Sequence, residues 1–264
     1  IVDFAYFDPT YFSPYNQKSD RTKLKYNLLK DGLKVTADIY DSCGVFTKSL
    51  INNEAQNSGD HENIWSGDDE YGRKLESGEY KFILKAVDEV GTSEEISGNV
   101  IIDNDFPAVE FVSIEVTDDT VKCRYLTSED AKVAISAIDE NGNIIQVMTS
   151  GESVSAGEHS VSWLFASRIT DYSLQYAFKI FAEDRALNAT EKSSQLMILP
   201  GPVNITDLKA NPETFNPNSS TLSRKTNVSY QLSSRKGKAV VSVKILGPAG
   251  NIVKTLVDAE EKEN

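Results

Sequence analysis

Apolar residues in this chain recur at every second position. Leu33, Val35, Ala37 and Ile39 alternate with polar neighbours up to Asp41 and the glycine at 44. Thr22 to Leu28 alternates in the same way, and Glu79 to Asp88 is the longest such run. A period of two places one face of an extended chain in a core and the other in water, so these runs predict half-buried strands. In the first hundred residues, strands are predicted near 1–6, 22–28, 33–40, 45–50, 61–65, 79–88 and 94–102. Asn52 to Gly59 is expected to be a polar loop. Turn-forming Gly, Pro, Asp and Asn separate the runs, and no stretch has helical spacing. Short strands with turn signals about every eight to twelve residues predict an antiparallel β-sandwich of immunoglobulin type.

The pattern then repeats. Gly59-Asp60-His61-Glu62-Asn63-Ile64-Trp65 reads G-x-H-x-x-x-W, and Gly157-Glu158-His159-Ser160-Val161-Ser162-Trp163 reads the same. The chain's two histidines and two tryptophans all lie in this motif. Val35, Val133 and Val241 each precede a turn glycine (Gly44, Gly142, Gly250) by 9 residues, and the two histidines each follow theirs by 17. Tyr80 with Asp88 matches Tyr176 with Asp184. The glycines are 98 and 108 residues apart, a spacing that fits successive independent domains of about 100 residues.

The boundaries follow. Residues 1–103 form one sandwich, 104–200 a divergent second, and 201–264 the first strands of a third. Asp103-Asn104-Asp105-Phe106-Pro107 and Pro200-Gly201-Pro202 are the linkers. The second copy has lost the turn after its tryptophan, replaced by 164–172. Strands are expected there near 109–116, 120–126, 131–138, 143–148, 159–164, 174–184 and 192–199. The third copy restarts at Ile205-Thr206-Asp207-Leu208 and has no G-x-H-x-x-x-W strand, which is expected to leave strand edges unpaired and suggests a piece of a longer protein. The fold class is all-β: tandem immunoglobulin-like or fibronectin-III-like β-sandwiches, the third incomplete.

Charge and cysteine content narrow the function. The formal net charge of −13 disfavours nucleic acid as a partner, because phosphates attract basic surfaces. No apolar run reaches the roughly 20 residues of a membrane helix, so no membrane insertion is expected. No leader is visible, although one removed upstream fits a chain that opens within a strand. Cys43 and Cys123 lie in different copies and are expected to be free thiols, Cys123 buried beside Tyr125.

The residues Phe12-Ser13-Pro14, Tyr26-x-Leu28, Ile39-Tyr40-Asp41-x-x-Gly44, Gly59-x-His61-x-x-x-Trp65-x-Gly67-x-Asp69-x-x-Gly72 and Ser77-Gly78-x-Tyr80 carry a resemblance. The first copy resembles the FlgD-type Ig-like domain, named after the flagellar hook-capping scaffold. The third copy resembles its first two-thirds, and the second does so at fewer positions. The resemblance implies a reused module, found in tandem in bacterial secreted and surface proteins and beside the catalytic domains of cell-envelope subtilases. Relatives carry an Asp/Gly-rich loop after Ser-Pro. Here Tyr15 to Asp20 has lost most of those acids.

Candidate chemistry is sparse. No G-x-S-x-G, H-E-x-x-H, C-x-x-C or phosphate-loop spelling occurs, so no catalytic residues are assigned and no enzyme is expected. His61 and His159 recur with their strand and are expected to pack or cap a loop, and Trp65 and Trp163 to pack in cores. Tyr6, Tyr11, Phe12 and Tyr15 form an aromatic-rich opening, read as a packed strand edge or else a glycan or partner platform. Asp103, Asn104 and Asp105 offer oxygen ligands at a junction and are the candidate interdomain cation site, with Ca²⁺ as the ion. Asp68-Asp69-Glu70 is expected to be a turn. Sequons lie at Asn188, Asn204, Asn218 and Asn227.

The leading expectation is a non-catalytic structural or spacer segment of a bacterial extracellular or cell-surface multidomain protein. Its partners would be other domains of the same longer chain. Two alternatives stay open: an accessory region of a secreted hydrolase, subtilase- or glycosidase-like, and a subunit of an extracellular filament or surface layer. In the last, neighbouring copies would complete the exposed strand edges of residues 203–264.

Overall fold

A computed structural model of the chain describes all residues except 118, 170, 171, 202, 222, 235–237 and 264. The side chains of 204 and 233 are also outside the description. Among the described residues there is no helix, and the alternating runs form strands with the anticipated faces inward.

The first unit contains β1 (Val2–Asp8), β2 (Tyr11–Phe12), β3 (Thr22–Leu28), β4 (Leu33–Tyr40), β5 (Phe46–Gln56), β6 (Gly59–Trp65), β7 (Gly78–Val87) and β8 (Ser93–Ile102). They make two facing sheets, β1-β3-β6 and β2-β8-β7-β4-β5, antiparallel except where β2 runs parallel to β8. The inward residues of both sheets form one core around Trp65. Its ring meets Phe7, Phe12 and Tyr80 at centroid distances of 5.5–5.8 Å. Tilted and edge-on contacts of this kind suit the quadrupoles of aromatic rings.

The second unit repeats this with β9 (Val109–Val116), β10 (Thr120–Thr127), β11 (Ala131–Asp139), β12 (Ile144–Val154), β13 (Gly157–Leu164), β14 (Gln175–Glu183), β15 (Ala189–Ser193) and β16 (Met197–Ile198). Its sheets are β13-β10-β9 and β12-β11-β14-β15, with β16 also on β14. A separate core surrounds Trp163, which meets Phe165, Tyr176 and Phe178. Cys123 is buried in it, and Cys43 is exposed in a turn.

Two expectations need correction. Asn52 to Gln56 is strand, not loop. β5 runs along the sheet edge, so its outer residues meet water and need no apolar alternation; only Asn57 and Ser58 separate it from β6. The strand expected over 192–199 begins at Ala189 and is broken. The Ser194 hydroxyl accepts the Phe178 N–H at 2.9 Å, taking a place in the ladder that a backbone carbonyl would fill.

The third group has β17 (Asn204–Asn211), β18 (Asn227–Ser233), β19 (Lys238–Leu246) and β20 (Ile252–Glu263), counterparts of β1, β3, β4 and β5. Among the described residues, β17 pairs with β18 alone and β19 with β20 alone. Val241 is the one buried apolar side chain described in these strands. Ile245 is 39% exposed, whereas Ile39, at the same place in the first unit, is 0% exposed. Among the described residues no strand flanks β19 as β7 flanks β4, where Phe82 lies opposite Ile39.

Candidate functional site at the junction of the first two units

The polar groups that converge most closely lie where the first linker leaves β8. Asp103 is half-buried there. Its carbonyl accepts the Asn188 side-chain amide at 2.8 Å, and its carboxylate accepts the Asp105 N–H at 3.1 Å. Asn188 belongs to the loop Asp184–Asn188 between β14 and β15. It is fully buried and also donates to Asp184 through both its backbone (2.9 Å) and its side chain (2.9 Å). From the first unit, Asn16 donates to the Ala186 carbonyl at 3.3 Å and to the Asn188 side-chain oxygen at 3.4 Å. Lys18 pairs with Glu183 at 3.2 Å. Arg185 lies over the Tyr11 ring at 5.4 Å and donates to its hydroxyl at 3.3 Å.

The loop 184–188 descends from a turn used throughout the chain. In Asp41-x-x-Gly44, Asp88-x-x-Gly91 and Asp139-x-x-Gly142, an aspartate carboxylate accepts two following N–H groups and the glycine takes positive φ. Asparagine and backbone donors hold the Asp139 carboxyl below its ordinary range, and backbone donors do the same for Asp88. At the junction the glycine is replaced by Leu187, held at φ +64 in a region that branched and bulky residues avoid. Leu187 lines a cleft of about 770 Å³ between the units, with Tyr11, Arg185 and Lys132 on its walls.

Of the three residues assigned to a cation site from the sequence, the structure brings only Asp103 into an acidic cluster. Its partners are Glu129 and Asp184, with carboxylate oxygens all within 4.8 Å of one another. Asn104 instead ties the linker to the first unit. It accepts from Ser13 at 3.0 Å and donates to the Leu75 carbonyl at 3.1 Å. Asp105 is exposed. Burial and the neighbouring charges of Asp103, Asp184, Asp105 and Asp130 push the Glu129 carboxyl up to about 7, and burial raises Asp103 as well. Three carboxylates so close satisfy their repulsion either by sharing a proton or by holding a hard cation among their oxygens. Glu129 and Asp184 escaped the sequence reading because they are 26 and 81 residues beyond Asp103 (129 − 103 and 184 − 103). The signal for Asp184 was its alignment with the turn acid Asp88, each lying 8 residues after its tyrosine (80 to 88, 176 to 184).

The remaining candidates are structural in geometry. His61 Nε2–H donates to the Asn57 carbonyl and His159 Nε2–H to that of Ser155, both at 2.8 Å, and each ring lies on a tyrosine, Tyr26 or Tyr125. Gly59 and Gly157 precede them at φ +118 and +129, which favours glycine. Gly67 is at φ +65, and a Cβ there would collide with Pro14 and Phe12. Asp69 caps its own turn, accepting from Tyr71 and Arg73, and Asp68 pairs with Lys48. The Asn188 sequon is closed by burial. Of the second linker, Pro202 lies outside the described residues.

Residues 12–89 match the FlgD Ig-like domain family. The match runs from Phe12-Ser13-Pro14 through the Asp41-x-x-Gly44 turn and the G-x-H-x-x-x-W strand to Asp88 and the residue after it. No protein of curated function matches the chain. Among solved structures, the tetra-tandem repeat in the extending region of a large adhesion protein is similar at 18% identity and a TM-score of 0.36, over 93% of this chain and 61% of that one. The BSP domain of a biofilm-associated protein is similar at 9% identity and a TM-score of 0.25, over 75% and 29%. A DUF4785 protein from Legionella pneumophila is similar at 15% identity and a TM-score of 0.29, over 74% and 56%. The chain thus spans about three fifths of the first of these and less of the others.

Proposed function

We propose that this chain is a non-catalytic structural segment of a bacterial extracellular or cell-surface protein, setting the spacing and direction of the domains it connects. The carrying observation is the docked first junction. Two units with separate cores meet through the buried Asn188, which binds the linker carbonyl of Asp103, and through Asn16, Lys18 and Tyr11 on the first unit. A linker that only tethered its domains would not need a buried side chain bonded across the joint. The resemblance of the first unit to a module found in tandem in secreted proteins supports the same reading, as does the acidic, strand-built surface.

Small-angle scattering tests it. The wild-type chain is expected to fit one arrangement of the first two units across salt concentrations. Asn16→Ala and Asn188→Ala are expected to broaden the distance distribution, the former without lowering the thermal midpoint. A wild-type profile that requires an ensemble of freely tethered units overturns the proposal.

A second reading rests on the third group of strands. Ile205, Leu208, Ile252 and Leu256 are exposed there, and among the described residues each of the two sheets has two strands only. A neighbouring copy that adds a strand to β18 or β19 would cover them, making the chain a subunit of an assembly. Sedimentation over a hundredfold concentration range decides it: a monomer throughout removes this reading.

A further inference from the structure

The outward face of the sheet β1-β3-β6 carries a feature that the other copies lack. Phe4 and Tyr6 point away from the core and are 37% and 47% exposed. Their ring centroids are 5.6 Å apart and the planes meet at 41°, so the pair forms a shallow V. Across the ladder Phe4 faces Asn27, which faces Asp60, while Tyr6 faces Lys25, which faces Glu62. Polar links fix these rows: Asn27 Nδ2 to Asp60 at 2.7 Å, Lys25 Nζ to Asp8 at 2.5 Å and Lys23 Nζ to Glu62 at 2.9 Å. A depression of about 410 Å³ is lined by the two rings, Lys25, Asp60 and Glu62, together with Tyr26 and His61.

The internal repeat serves as a control for the aromatic pair. In the second unit the residue facing Arg124, the counterpart of Lys25, is Ser113, and the residue facing Leu126 is Glu110. In the third, Lys209 faces Ser229 and Thr206 faces Gln231. The sandwich therefore forms with small or polar residues at both places. Two large rings left in water are not required by the fold, and they sit beside fixed donors and acceptors.

We propose that this face is a saccharide-binding platform, taking one pyranose ring against Phe4 and Tyr6. A pyranose presents an apolar C–H face that packs on aromatic rings and a rim of hydroxyls that both donate and accept. The Asp60 and Glu62 carboxylates accept and the Lys25 ammonium donates, so the lining matches that rim, with Asn27 holding Asp60 in place. A protein partner fits less well, because two rings fall far short of the roughly 800 Å² per partner of a stable interface. Nucleic acid is disfavoured by Asp8, Asp60 and Glu62 outnumbering Lys23 and Lys25 on this face.

The test is native electrophoresis of the full chain through gels containing soluble β-1,3-glucan, arabinoxylan or galactomannan, followed by a printed glycan array. At least one of these probes is expected to retard or capture the wild type. Phe4→Glu with Tyr6→Ser, which installs the second unit's residues, is expected to weaken that binding about tenfold or more with an unchanged thermal midpoint. Tyr6→Trp is expected to retain it. If the double substitution lowers the midpoint, Tyr6→Ser alone reads the same contrast. No binding to any gel or array glycan overturns the proposal, and so does a double variant that binds as tightly as wild type. Self-association that the double variant abolishes, without glycan binding, overturns it in favour of contact between copies.

Discussion

At the scale of single residues, the two tryptophans occupy equivalent places but are not equally satisfied. Trp65 Nε1 donates to the Asp68 carbonyl at 3.0 Å, in the turn that follows β6. In the second unit that turn is replaced, and Trp163 Nε1 is buried with no partner among the described residues. A buried donor left unpaired costs about 1–3 kcal/mol. Replacing either indole by phenyl removes similar volume from a fully buried site. Trp65→Phe also breaks a hydrogen bond, whereas Trp163→Phe breaks none among the described residues. Trp65→Phe is therefore expected to cost about 1 kcal/mol or more beyond Trp163→Phe. Calorimetric unfolding of both variants checks this, and equal losses would contradict it.

At the scale of elements, the three long edge strands share a bulge. Asn53 in β5, Gly151 in β12 and Ala259 in β20 all have positive φ, at +53°, +105° and +50°. Each lies 9 residues after its turn glycine (44 to 53, 142 to 151, 250 to 259), so the bulge belongs to the repeat. In the first and third copies a hydroxyl of the partner strand takes the freed N–H: Thr36 accepts from Asn53 at 3.3 Å and Ser242 from Ala259 at 3.0 Å. A bulge increases local twist and turns an edge away from further pairing. A Cβ at positive φ costs about 1–2 kcal/mol. Gly151→Ala is accordingly expected to destabilise the second unit by about that amount. Ala259→Gly is expected to slow hydrogen exchange of the β19–β20 amides. Urea titration and exchange measurements read these two effects.

At the scale of the whole molecule, the junction makes stability depend on pH. Glu129 has an ordinary value of 4.5 and is pushed to about 7 in the fold, first by burial and then by the surrounding carboxylates. The folded state therefore binds the proton more tightly than the unfolded state. That contribution is fully present below about pH 4.5 and is lost as the pH rises to about 7. The turn aspartates Asp88 and Asp139 act oppositely, because their lowered values favour the fold only while they are ionised. The second unit is expected to melt highest in mildly acidic solution and lower at pH 8. Glu129→Gln is expected to flatten the slope between pH 5 and 8. Calcium added at pH 8 separates proton sharing from cation binding: a raised midpoint that Glu129→Gln abolishes identifies the cation, and an unchanged midpoint identifies the proton.

Period-two alternation and turn residues were enough to assign strands, because burying one face of a sheet imposes that period whatever the partner. Val35, Ala37 and Ile39 could be read as inward, and the spacing of Gly44, Gly142 and Gly250 exposed the repeat, since a turn at positive φ selects glycine in each copy. His61 and Trp65 were legible as structural for the same reason. The polar end of β5 was not legible, because an edge strand is held by backbone bonds that leave no apolar signature. The acidic cluster and the aromatic V were legible only in part, through Asp103 and Tyr6. Asp103, Glu129 and Asp184 meet only once two sandwiches dock, and Tyr6, legible as part of an aromatic opening with Tyr11, Phe12 and Tyr15, pairs instead with Phe4, because the β1 bulge and the pairing with β3 turn those two rings to water. Local sequence fixes which side of a strand is apolar. Which distant side chains share a surface depends on how sheets pack and how units join.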